Sequence, residues 1–139
     1  MAQLIAYLSF NGNCREAMEF YSDCLKAELI LEYLGDSPLG NNLPDRLKSY
    51  VFQASLKKGD MLIIASDVVP DSGLKLGNTV SLYVHFKSAQ ELREVFQKLA
   101  FSGEELYPLH PTHWNQLFGG VIDKYGIHWL LSSGYNTYP

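Results

Sequence analysis

Apolar and polar positions alternate from Leu4 to Phe10, with Leu4, Ala6, Leu8 and Phe10 on one side and Ile5, Tyr7 and Ser9 on the other. A period of two predicts a strand, closed by the turn signal Asn11-Gly12-Asn13. The period then becomes helical. Ala17, Phe20, Tyr21, Cys24 and Leu25 share one side, Arg15, Glu16, Glu19 and Asp23 are left for water, and Asn13 is placed as an N-cap. Glu28 to Leu34 reads as a strand, and Tyr50 to Leu56 with Met61 to Ser66 as a hairpin turning through Lys57-Lys58-Gly59-Asp60. Between them, Gly35 to Lys48 is rich in Gly, Asn, Pro and Asp and carries little period. It predicts a loop long enough to act as a lid. Asp67 to Asn78 reads as a polar connector.

After the connector the order repeats. Thr79 to Phe86 alternates as a strand and Ala89 to Phe101 carries Leu92, Val95, Phe96 and Leu99 at helical spacing. The two helices superpose at an offset of 75 residues, Glu16-Ala17 over Glu91-Leu92, and the segment Gly59 to Ser66 lies over Gly126 to Ser133 at an offset of 67. Two matches in the same order predict a duplicated module, each half running strand, helix, strand, strand, strand. The modules span about residues 1–67 and 78–135 of one domain. One helix covers only one face of such a sheet, so two modules together predict an α+β fold: a cupped, barrel-like mixed sheet with helices outside and a cleft inside. Alternation puts Ala6, Leu8 and Phe10 under the first helix and Ile5, Tyr7 and Ser9 in the cleft. It likewise puts Val80, Leu82, Val84 and Phe86 under the second helix and Ser81, Tyr83 and His85 in the cleft.

Composition narrows the partners. The 139 residues hold 11 Lys and Arg against 15 Asp and Glu, a net charge of -4, which offers no footprint for nucleic acid or an anionic membrane. No apolar run approaches the roughly 20 residues of a spanning helix, and the N-terminus lacks the order of a signal peptide, so the expected location is cytoplasmic. Cys14 and Cys24 lie ten apart on one helix, too far for a disulfide across about 15 Å. They read as small buried hydrophobes in a reducing compartment, with a reactive thiol at Cys14, near the positive helix end, as the alternative.

Tyr7-Leu8-Ser9-Phe10-Asn11-Gly12-Asn13-Cys14, Phe20-Tyr21, Thr112-His113-Trp114, Gly119 and Asp123-Lys124-Tyr125-Gly126-Ile127-His128-Trp129 together resemble the PhnB-like branch of the glyoxalase/bleomycin-resistance/extradiol-dioxygenase (vicinal oxygen chelate) superfamily. The resemblance covers essentially the whole chain and implies the paired-module fold and a homodimer. It leaves the chemistry open, because members range from isomerases, dioxygenases and thiol transferases to drug-sequestering proteins. Catalytic members hold a divalent metal with His and Glu from four strands. Carried onto this chain, those positions fall at Ile5 (or Ala6), Gln53, near Thr79 and at Leu130, where only Gln53 has a donor oxygen. The inherited metal site is therefore expected to be absent, with no cofactor in its place. Relatives labelled demethylubiquinone methyltransferase-like add little, since no glycine-rich strand-to-helix loop is present to hold a nucleotide-bearing methyl donor.

The expected function is a small-molecule-binding protein whose cleft is lined by Tyr7, Ser9, Gln53, Tyr83, His85, Trp114, His128 and Leu130. The alternative is a lyase, isomerase or dioxygenase-like enzyme, using either a metal displaced to His85, His113 and His128 or acid-base chemistry by His85 or His113. His110 and His113 fall in a Pro-bounded loop from Tyr107 to Trp114. Trp114 is read as pocket wall or packing, Trp129 as core, and Asp123 as a turn-former whose counterpart in the first hairpin is Asp60.

Overall fold

A computed structural model describes residues 1–112 and 116–134 and divides into two compact units, Met1–Lys75 and Leu76–Pro139. The first runs β1 (Ala6–Ser9), α1 (Cys14–Leu25), β2 (Glu28–Tyr33), two 3₁₀ turns (Leu34–Asp36 and Gly40–Asn42), α2 (Asp45–Lys48), β3 (Val51–Lys58) and β4 (Met61–Ser66). The second runs β5 (Leu82–Phe86), α3 (Ala89–Ala100), β6 (Glu104–Pro111), β7 (Leu117–Ile122) and β8 (His128–Ser133). Each holds one four-stranded mixed sheet, ordered β1-β4-β3-β2 and β5-β8-β7-β6. In both, the first strand pairs in parallel with the last and the other pairings are antiparallel. The α+β class and the repeated strand-helix-strand-strand-strand order are thus present in both units.

The core of each unit lies between its helix and one face of its sheet. Cys14, Ala17, Met18, Tyr21, Cys24 and Leu25 of α1 are buried, as are Leu8, Ala54, Leu56, Ile63 and Ala65. The sheet residues fall in register with one another, as alternation requires. In the second unit Leu92, Val95, Phe96 and Leu99 of α3 are buried together with Phe86, Val121, Trp129 and Leu131. Trp129 is fully buried, as its alternation predicted.

Several boundaries differ from the sequence pattern. Alternation outruns the ladder at both first strands: Leu4 lies outside β1 and is fully exposed, and Val80 lies outside β5 at 74% exposure rather than beneath the helix. Gly35 to Lys48 is not an aperiodic loop, since short helical turns occupy most of it and Ser37 is buried there. The Pro-bounded segment is a strand as far as Pro111. β6 is an edge strand with register shifts on either side of Tyr107, the setting in which Pro108 and Pro111 are tolerated.

The hairpins also shift the repeat. Gly59, at φ +57°, opens a two-residue loop between Lys58 and Met61, whereas five residues separate Ile122 from His128. Ala6 registers with Ile63 and Leu82 with Trp129, so the last strands superpose at an offset of 66, not 67. Matching the two turn glycines slips the overlay by one residue, and one residue exchanges the faces of a strand.

Candidate functional site

In each unit the sheet face turned away from the helix carries the polar residues of the alternation. On the first sheet this open face holds Tyr7, Ser9, Gln53, Ser55, Ile64 and Ser66. Tyr7 is 59% exposed and Gln53 is exposed, while Ser9 is half-buried beside Ser66. The Tyr7 hydroxyl and Ser66 Oγ are 2.6 Å apart, and Ser66 Oγ also accepts from the Val68 N–H at 3.3 Å.

On the second sheet the open face is ordered in rows across the strands. One row is Tyr83, Leu130, Gly120 and Tyr107; the next is His85, Ser132, Phe118 and His110; His128 registers with Ile122 and Glu104. A Cβ on Gly120 would meet Tyr107 Cδ2 at 2.9 Å and Leu130 Cδ2 at 3.0 Å, so the first row closes into a continuous apolar strip. Phe118 stands beside Tyr107, with ring centroids 6.4 Å apart, and takes the His110 ring edge-on at 6.1 Å. His110 Nδ1 lies 2.8 Å from the Pro108 carbonyl, a local contact within β6.

The polar centre of this face is a chain of three side chains. Ser132 Oγ lies 2.7 Å from the Tyr83 hydroxyl and 2.7 Å from His85 Nδ1, and His85 Nε2 lies 2.9 Å from the Gly134 carbonyl oxygen. Ser132 is buried, His85 half-buried and Tyr83 44% exposed. The parallel β5–β8 pairing, with His85 opposite Ser132, produces this geometry.

Four of the sequence-selected residues, Tyr83, His85, His128 and Leu130, therefore share one face, and Tyr7, Ser9 and Gln53 share the equivalent face of the other sheet. His113 and Trp114 lie outside the described residues. Sequence reasoning passed over Ser132, Phe118 and Tyr107. Ser132 had a signal, because it stands two residues beyond Leu130 on the same strand and face.

Two buried carboxylates hold the frame behind these faces. Asp67 Oδ1 accepts from the N–H groups of Gly12 (2.8 Å) and Cys14 (2.9 Å), and its Oδ2 from Val51 N–H (2.8 Å). It fastens the start of α1 and the start of β3 to the end of β4. Asn13 occupies the N-cap position without a side-chain cap bond, so the expected local cap is replaced by a distant one. In the second unit Asp123 Oδ1 accepts from Tyr125 and Ile127 N–H, and Oδ2 from Trp129 Nε1–H at 2.8 Å. Asp123 is a turn-former as read, and also the partner of the core indole. Asp60 is exposed and is no counterpart to it.

The setting of Cys14 is not that of an activated thiol. Cys14 and Cys24 are both buried, and neither forms a disulfide. Burial, reinforced by the neighbouring Asp67 carboxylate, pushes the Cys14 thiol up to about 12, the opposite direction from an activated thiolate.

The metal positions implied by the superfamily do not fit a metal. Ile5 and Leu130 are hydrocarbon, Thr79 is exposed ahead of β5, and Gln53 offers one neutral amide oxygen. Among the described residues, no three His, Cys, Asp or Glu side chains converge as a ligand set.

A glyoxalase/bleomycin resistance protein/dioxygenase family enzyme from Burkholderia phytofirmans PsJN superposes with a TM-score of 0.64 over 93% of this chain and 95% of that one, at 8% identity. The fold is that of the glyoxalase/bleomycin-resistance proteins. Within it, residues 2–132 match the family described as 3-demethylubiquinone-9 3-methyltransferase, and the chain belongs to that PhnB-like family. Protein PA1353 from Pseudomonas aeruginosa is 32% identical, with a TM-score of 0.84 over 98% of this chain and 100% of that one. A putative 3-demethylubiquinone-9 3-methyltransferase, PhnB protein, from Bacillus cereus is 25% identical, with a TM-score of 0.76 over 96% and 100%.

Proposed function

We propose that this chain binds a small molecule on the open face of its second sheet, without the metal that catalytic relatives of the fold hold. The observation that carries this reading is the pairing of an apolar strip, Tyr83, Leu130, Gly120 and Tyr107, with the hydrogen-bonded centre at Tyr83, Ser132 and His85. Apolar surface with a few placed polar groups is what small ligands use. Tyr7, Ser9 and Gln53 and the segment Gly35 to Lys48 belong to the first unit, and the proposed surface does not rest on them. Metal analysis of tag-free protein tests the reading: no stoichiometric metal is expected, and Zn, Ni, Mn or Fe retained through dialysis would overturn it.

Methyl transfer, the activity in the family's description, is not adopted. The strand-to-helix turn Asn11-Gly12-Asn13 is short, and the N–H groups of Gly12 and Cys14 already bind the chain's own Asp67 carboxylate. Calorimetry is expected to find no binding of S-adenosylmethionine, and micromolar affinity would reverse this view.

A second reading, acid-base chemistry of the lyase or isomerase kind, is favoured by the contact of His85 with Ser132, whose Oγ also meets the Tyr83 hydroxyl. His85→Ala would abolish any turnover on that reading, whereas on the first there is no turnover to lose and binding alone weakens. No helix among the described residues is long and apolar enough to cross a membrane. A cytoplasmic homodimer completes the proposal, to be checked by sedimentation equilibrium: a 15.7 kDa species alone would remove the dimer.

A further inference from the structure

With the His85 imidazole neutral, the hydrogen-bond chain on the second sheet has one consistent direction, and that direction selects a ligand. The Gly134 carbonyl oxygen can only accept, so His85 Nε2 carries the proton in the contact at 2.9 Å. In the neutral imidazole Nδ1 is then an acceptor, and Ser132 spends its single hydroxyl proton on it at 2.7 Å. The remaining bond, Tyr83 to Ser132 at 2.7 Å, must be donated by the Tyr83 hydroxyl. With its proton turned inward, the 44% exposed phenol offers only oxygen lone pairs at the edge of the apolar strip.

Resting on the binding reading above, we infer that Tyr83 selects small aromatic ligands that present a hydrogen-bond donor, a hydroxyl or an amine N–H, and disfavours ligands that bring only ether or carbonyl oxygens. The aromatic class follows from the strip of Leu130, Gly120 and Tyr107, flanked by the Phe118 ring. The polarity follows from the Gly134 carbonyl, relayed through three side chains. An acceptor placed against the Tyr83 oxygen would leave both groups without a proton between them.

Two measurements test this on the intact protein. Imidazole nitrogen-proton correlation spectra, with His85 assigned by its loss in His85→Gln, are expected to show the proton on Nε2 and Nδ1 as an acceptor. A proton on Nδ1 overturns the inference. Titration with hydroquinone and with 1,4-dimethoxybenzene, which differ in carrying or lacking O–H donors, is expected to favour hydroquinone about tenfold. Tyr83→Phe should remove the preference, and Ser132→Ala, which releases the Tyr83 proton, should shrink it even if the first variant folds poorly. Equal binding, a reversed preference, or a preference that survives both substitutions overturns the donor selection while leaving the binding surface standing. Failure of both probes to bind overturns the binding reading itself, and the inference with it.

Discussion

Tyr7 and Tyr83 stand at the same place in the two modules, each on the first strand with its hydroxyl on a serine of the last strand, Ser66 or Ser132. The difference lies two residues on: Ser9 in the first module, His85 in the second. In the first, Ser66 Oγ also accepts from Val68 N–H, and among the described residues either hydroxyl of the pair can donate to the other. In the second, His85 is held by a carbonyl and imposes a direction on the chain. A duplicated frame has thus been dressed once with hydroxyls of unspecified polarity and once with a polarised relay. On the proposed reading, one histidine rather than a change of fold sets the second face apart.

The frames themselves are secured differently, and the first expected effects probe this contrast. α1 begins on Asp67, 53 residues away from Cys14, whereas α3 begins on its own Ser88, whose Oγ accepts from Glu91 N–H at 3.3 Å. Asp67→Ala strips three backbone donors of their acceptor and should cost about 3 kcal/mol or more by denaturant unfolding. Asp123→Ala, which releases two backbone donors and the Trp129 indole, should cost about 2 kcal/mol. Near-equal, sub-kilocalorie losses would dissolve the contrast.

An alkaline effect is confined to the first module. Folding raises the Cys14 thiol to about 12, so the native state keeps a proton that the unfolded chain releases from about pH 9. This contribution is complete below that pH and is lost as pH rises toward 12. The slope should approach about 1.4 kcal/mol per pH unit, and Cys14→Ala should flatten it. A slope unchanged by the substitution would show that other groups govern the alkaline limb.

Ser88→Ala should cost about 1 kcal/mol, the ordinary scale of a local cap, against the larger cost at Asp67. Smallest of all, Val80→Ser should change stability by less than about 0.5 kcal/mol, because Val80 is 74% exposed and outside β5. A core-sized loss there would restore the alternation-based reading that placed it beneath α3.

The fold was legible because its signals are periodic. Strand and helix spacing in Leu8, Ala17, Tyr21, Leu92 and Phe96 repeats in order, and burial follows that spacing. The faces of Tyr83, His85, His128 and Leu130 were legible for the same reason. What escaped was decided by partners distant in the chain. Asp67 looks like the first residue of a polar connector until the sheet brings it to Gly12, Cys14 and Val51. Ser132 acquires its role only from the parallel pairing that sets it against His85 and Tyr83. The prolines of β6 signal a loop locally, yet the segment is a strand because it lies at a sheet edge.

The most direct measurement is backbone amide perturbation mapping with hydroquinone as the probe. Shifts clustered at Tyr83, His85, Leu130 and Ser132, with Tyr7, Ile64 and Ser66 little moved, are expected if the second sheet's open face is the binding surface. Shifts centred on Tyr7 and Ser66, or none at either face, would contradict it.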